Sequence, residues 1–247
     1  MSKEITIQRK FAVFDIDGTL FRSALYHEVV DELARQGKLG KDSWQRISEA
    51  RQLWKQRTHP DSFWDFVNAS VTEFETALPH IHYDDYLSVI QLVFEMQKDH
   101  VYQYTKQLLN DLKSKGYTII AISGSNQEMV DPFAAYHGFD IAIGAEFEVK
   151  NGLFTGKNKY MHENKHVMLE RLIQENNFTL AGSVAIGDTH RDISILSVVE
   201  QPIAFNPNRQ LFEHAKQHGW KVVIERKNMW YELEASNGSY ILAQTND

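Results

Sequence analysis

The chain has 247 residues, 43% hydrophobic and 24% charged, enough for one large domain or for a domain carrying an insertion. A net charge of −7 does not favour a nucleic-acid partner, and the lack of cysteine excludes disulfides and thiol chemistry. The first ten residues are polar with no apolar signal core, and no stretch is apolar enough to span a membrane. A cytoplasmic protein without a membrane partner is therefore expected.

Residues 11–14 form an apolar run of strand length, which Gly18-Thr19 breaks at once. This reads as a buried parallel strand. Its carboxyl end carries Asp15 and Asp17 into the crevice where open α/β sheets bind ligands. Residues 22–104 then show few strand signals and many helix formers. Helices are expected over residues 27–37, closed by Gly37, over 41–56 and over 61–75, with one long helix or two over 84–107. A direct crossover needs far fewer residues. The segment is expected to be an inserted helical unit, so that residues 1–21 and 105–247 form the core. Trp44, Trp54, Phe63, Trp64, Phe66 and Phe74 are expected to fill the interior of that insertion.

A second apolar strand, residues 117–122, ends in Ser123-Gly124-Ser125-Asn126, and a helix begins near Gln127. A hydroxyl at a strand end followed by a helix N-terminus suits a phosphate. Asn151-Gly152, between two short alternating runs in residues 146–157, predicts a hairpin. Lys165 opens the helical stretch KHVMLERLI and offers a compact positive charge. A third strand, residues 183–186, runs into GDTHRD, which places Asp188 and Asp192 at its end. Strand–helix alternation implies an α/β fold with a parallel, doubly wound sheet. After a last strand at 220–224, the tail is open to reading as an edge element, a packing arm or an oligomer contact.

Two acids one residue apart at the end of an apolar strand are costly unless a cation pairs with them or chemistry uses them. Phosphoryl transfer suits the arrangement. One carboxylate can attack phosphorus while the other protonates the leaving oxygen and later activates water. Mg²⁺ with oxygen ligands can offset the crowded negative charge.

Together these stretches resemble the haloacid dehalogenase superfamily of phosphatases, in its phosphoserine-phosphatase-like branch. DIDGT matches the first motif, the Ser123 turn the second, Lys165 the third and GDTHRD the fourth. The resemblance covers residues 11–20 and roughly 105–225. It implies a Rossmann-like core with a helical cap, residues 22–104, that closes over the site and selects substrate. It implies Asp15 as nucleophile and Asp17 as acid/base, with Ser123, Gly124 and Lys165 holding the transferring phosphoryl group. Mg²⁺ is implied at Asp15, the main-chain carbonyl of Asp17, and Asp188, supported by Asp192.

The expected function is Mg²⁺-dependent hydrolysis of a small phosphorylated metabolite through an aspartyl-phosphate. A phosphotransferase or phosphomutase on the same scaffold is the first rival, and a phosphate- or metal-binding module without turnover is the second. Phosphoserine is in doubt as substrate. Enzymes for it usually read DxDST in the first motif and place a glutamate shortly after, whereas this chain has Gly18 and, nine positions after Asp15, Ala24. Glu28 lies one helical turn further on. Arg22, Arg46, Arg51, Lys55 and Arg57 are candidates for holding a second anionic group. The oligomeric state is left open.

Overall fold

Strand β1, Phe11–Phe14, is buried at every position. The computed structural model describes residues 8–158, 165–236 and 238–245; most of the polar N-terminal segment lies outside that range. Alternate β1 side chains serve opposite faces, as a pleated strand requires. After β1 come helices α1 (Leu25–Arg35), α2 (Ser43–Lys55), α3 (Ser62–Ala77) and α4 (Tyr83–Gln97). The span 84–107 is thus two helices, because α5 (Gln103–Ser114) starts anew after a break. Then follow β2 (Thr118–Asn126), α6 (Gln127–His137), β3 (Ile141–Ala145), β4 (Phe147–Lys150) and β5 (Leu153–Asn158). The chain continues through α7 (Lys165–Glu175), β6 (Val184–Gly187), α8 (Ile193–Leu196), β7 (Gln201–Phe205), α9 (Arg209–His218), β8 (Lys221–Arg226), β9 (Met229–Ser236) and β10 (Ser239–Thr245).

Among the described residues the main sheet has eight strands in the order β10-β9-β8-β7-β6-β1-β2-β3. From β3 to β8 every neighbouring pair is parallel. Ala12 and Phe14 pack with Leu109 and Leu112 of α5 and with Met129 and Phe133 of α6. Phe11 and Val13 pack on the other face with Leu169 of α7, Leu196 of α8 and Leu211 of α9. Helices therefore cover both faces, and the sheet is the doubly wound α/β type that was expected. Each of the larger of these side chains, Leu, Val, Met or Phe, contributes about 1.5–3 kcal/mol when fully buried relative to exposure. The strand order reverses at β1 and β6, which are direct neighbours, and a ligand crevice is expected at such a point.

The tail is an edge element: β9 pairs antiparallel with β8, and β10 with β9. The 151–152 hairpin forms between β4 and β5, with positive φ of 53° at Asn151 and 77° at Gly152, as a tight hairpin turn demands. Its Phe154 packs edge-on against Tyr86 of α4 at 5.1 Å.

The chain leaves the sheet for the helices and returns to it along two adjacent segments. Phe21 bridges Val101, Arg22 N–H donates to the His100 carbonyl at 2.9 Å, and Tyr102 N–H donates to the Leu20 carbonyl at 2.9 Å. The return helix starts at Gln103. The buried Glu225 carboxylate caps it by accepting from the Gln103 and Tyr104 amides. Trp54, Phe66 and Phe74 pack in the interior as expected. Trp44 does not; it is 43% exposed.

Candidate active site

The ends of β1 and β6 and the start of α7 bring four charged side chains together. Lys165 is buried and its Nζ lies 2.7 Å from Asp15 Oδ1 and 2.7 Å from Asp192 Oδ1. Asp15, Asp188 and Asp192 each offer one oxygen, all within 4.8 Å of one another. Asp192 is fixed by the tight turn after β6, where its Oδ2 accepts from Thr189 N–H at 3.0 Å and from Thr189 Oγ1 at 3.1 Å. Asp188 accepts from Thr19 Oγ1 at 3.3 Å.

Burial pushes the Asp15 carboxyl up to about 7; Lys165 opposes this, while Asp192 and Asp17 add to it. Burial, with Asp15 and Asp192, also raises Asp188 well above the usual carboxylate range. Burial works against the charge on Lys165, but Asp15 and Asp192 outweigh it and its pKa rises. The lysine therefore stays protonated. The carboxylates crowd one another more than one ammonium offsets, and their oxygens form the hard donor set that Mg²⁺ takes. The residues present fit that ion.

Asp17 stands apart from this group. Its carboxylate accepts from Leu25 N–H at 2.6 Å, Ser123 Oγ at 2.6 Å and Ser125 Oγ at 2.8 Å. These donors hold it off the metal cluster, which leaves its main-chain carbonyl as the group the resemblance implies for Mg²⁺. Ser123 was expected to meet a phosphoryl group, yet in this structure its hydroxyl is engaged with Asp17. Gly124, expected beside it, lines the cavity, as does Ser125, whose hydroxyl is likewise engaged with Asp17.

That cavity, of about 160 Å³, has Asp15, Asp17, Asp188 and Lys165 at its polar end. Its walls come from α1, through Ala24 just before it, Tyr26 and His27, and from α3. The α3 residues Phe63, Trp64, Val67 and Val71 recur at helical spacing and share one face. Phe63 and Trp64, expected as interior packing, are thus partly wall. Arg191 also lines the cavity, with its Cζ 5.2 Å from the centre of the Trp64 ring.

Of the basic candidates, Arg22, Arg46, Arg51, Lys55 and Arg57 do not line this cavity. Arg46 is bound to Glu73 at 2.7 Å, Arg51 to Asp31, and Arg22 lies over the Tyr102 ring. Arg191 and Ser125 were not singled out from the sequence, and Trp64 was named there as interior packing. Ser125 was detectable in principle, because the SGS turn carries two hydroxyls; the helix face of Trp64 was not.

The model of the haloacid dehalogenase-like hydrolase family matches residues 12–197. The chain belongs to that family. A histidinol-phosphatase of Neisseria meningitidis is 22% identical over 227 residues, which cover 87% of this chain and 98% of that protein. A phosphoserine phosphatase of Archaeoglobus fulgidus is 24% identical over 207 residues, 83% of this chain. The chain spans only 54% of that relative's length. A solved structure described as a phospho-aspartyl intermediate analogue of phosphoserine phosphatase superposes with a TM-score of 0.62 at 19% identity, covering 90% of this chain and 95% of that one. At that identity the likeness speaks for the fold. Among the described residues, no helix is long and apolar enough to cross a membrane.

Proposed function

We propose that the chain is a Mg²⁺-dependent phosphomonoester hydrolase acting on a small phosphorylated metabolite through an aspartyl-phosphate at Asp15. The observation that carries this reading is the buried Lys165 ammonium 2.7 Å from Asp15 at the polar end of the cavity. A carboxylate so restrained presents its other oxygen in a fixed direction. The family's hydrolase character and the phosphatase names of its relatives support the reading.

In the first half-reaction an Asp15 oxygen bonds to phosphorus as the ester P–O bond breaks. Asp17 gives its proton to the departing oxygen. In the second, Asp17 takes a proton from water, the water oxygen bonds to phosphorus, and inorganic phosphate leaves with Asp15 restored. Lys165 holds Asp15 and neutralises charge on the phosphoryl oxygens, and Gly124 and Ser125 border that space. Asp15, Asp188 and the Asp17 carbonyl would hold Mg²⁺, with Asp192 behind them; when bound, the ion offsets the negative charge that gathers on the phosphoryl group. Helices α1 to α4, within residues 22–104, act as a cap, supplying α1 and α3 side chains to the wall and excluding water.

Phosphate release from an alkyl and an aryl phosphomonoester with Mg²⁺ tests this function. Release is expected with both and is expected to stop when the metal is chelated. Asp17→Asn is expected to slow the alkyl ester more, because a poor leaving group needs the acid more. Full activity under chelation contradicts the metal-dependent mechanism, and equal losses on both esters contradict the acid role.

A further inference from the structure

We infer that the organic half of the substrate is an uncharged apolar group, planar or branched, seated on helix α3, and that the site disfavours substrates carrying an ammonium group. This rests on the phosphomonoesterase reading and narrows it. The α3 wall is continuous: Phe63, Trp64, Val67 and Val71 present two aromatic rings and two branched aliphatic side chains to the same cavity as Asp15. Transfer of an apolar group from water onto such a wall is favourable, and transfer of a charged one is not.

The carboxylates that line the cavity belong to Asp15, Asp17 and Asp188, all at its polar end. The first and third are claimed by Lys165 and the metal set, and Asp17 is held by three donors. Glu28, the acidic residue nearest in sequence to the position where an ammonium contact would stand, accepts from Ser23 Oγ at 2.7 Å. It lines a separate cavity with Asp31, Glu32 and Trp44. The charged side chain beside the α3 wall has the opposite sign. Arg191 lies over Trp64 and is placed to repel an ammonium and to tolerate a carboxylate.

His27 completes the wall as a neutral group. Burial, with Arg51 nearby, pushes its pKa down to about 4. Its Nδ1 is buried and has no hydrogen-bond partner among the described residues. A neutral imidazole adds no negative charge to the wall that could hold an ammonium. An ammonium entering this space would lose its hydration shell without gaining a free carboxylate.

The test compares kcat/KM, with Mg²⁺ present, for 2-phenylethyl phosphate, isobutyl phosphate, phosphoethanolamine, phosphoserine and acetyl phosphate. The apolar esters are expected to exceed both ammonium-bearing ones by about tenfold or more. Trp64→Ala is expected to reduce that ratio about tenfold, and Val67→Glu, which puts a carboxylate on the same face, to shift it toward phosphoethanolamine. Phosphoserine or phosphoethanolamine outranking the apolar esters, with acetyl phosphate still turned over, overturns the inference and leaves the hydrolase reading standing. No turnover of any of the five overturns both. An unchanged ratio in both variants, each melting as the parent does, overturns the role given to α3.

Discussion

Gly18 and Asp188 touch across the site. A Cβ on residue 18 would lie 2.2 Å from Asp188 Oδ2, far inside contact distance. Gly18 also has a φ of +83°, where side-chain-bearing residues are strained. The glycine of DIDGT is therefore what lets the turn after β1 close onto the loop after β6 and hold Asp188 beside Asp15. Gly18→Ala is expected to cost about 1–3 kcal/mol through backbone strain alone. It is also expected to weaken Mg²⁺ binding, because Asp188 must move. Denaturant unfolding and a Mg²⁺ titration measure the two effects, and parent-like Mg²⁺ affinity would contradict the placement of Asp188.

Lys165 is the counter-charge for two buried carboxylates, Asp15 and Asp192. Removing one member of a buried charge network typically costs about 3–5 kcal/mol, since its partners are left unpaired. Lys165→Met is expected to lower the Tm of the metal-free protein. Added Mg²⁺ should then raise Tm by more than it does in the parent, because the dication replaces the lost positive charge. Turnover should stay low, as the phosphoryl group has lost its ammonium. Thermal melts with and without Mg²⁺ decide this, and an identical Mg²⁺ response in both proteins would contradict it.

Mg²⁺ affinity should depend on pH. Burial holds the Asp15 carboxyl up at about 7 in the metal-free protein, against an ordinary value of 3.8. The folded form therefore keeps a proton that the unfolded chain has released, so this group lowers stability as pH rises through that window. Mg²⁺ must displace the same proton. Affinity is expected to climb as pH rises toward about 7, and because the Asp188 carboxyl is held up as well as that of Asp15, more than one proton is expected to be released per ion over the rising part. Calorimetric titration in buffers of different ionisation enthalpy reads both quantities. A flat affinity across that range would show that Asp15 is not part of the metal set.

The parts of this molecule that the sequence made legible are those fixed by local chemistry. β1 and β6 show as unbroken apolar runs because strands buried on both faces need no polar alternation, and the acids that follow them mark the sheet's carboxyl edge. The β4–β5 hairpin was legible from Asn151-Gly152, because few other residue pairs accept two positive φ angles in succession. What stayed hidden depends on neighbours distant in sequence. Strand β9 reads MWYELEAS, only partly buried, and becomes a strand by pairing with β8. Glu225 caps α5 from more than a hundred residues away. Trp44 and Trp64 look alike in sequence, yet one is exposed and the other lines the cavity, because helix orientation is set by tertiary packing. Arg191 was passed over for basic residues in the helices because its place opposite Trp64 depends on where α3 docks.

The central claim is that phosphate passes through Asp15. Acid quenching of the enzyme during turnover of an aryl phosphate with Mg²⁺, followed by digestion and mass spectrometry, addresses it directly. The peptide that contains Asp15 is expected to gain one phosphoryl group, labile to hydroxylamine, with none trapped in Asp15→Asn. Its appearance on any other residue, or undiminished turnover by Asp15→Asn, would contradict the account.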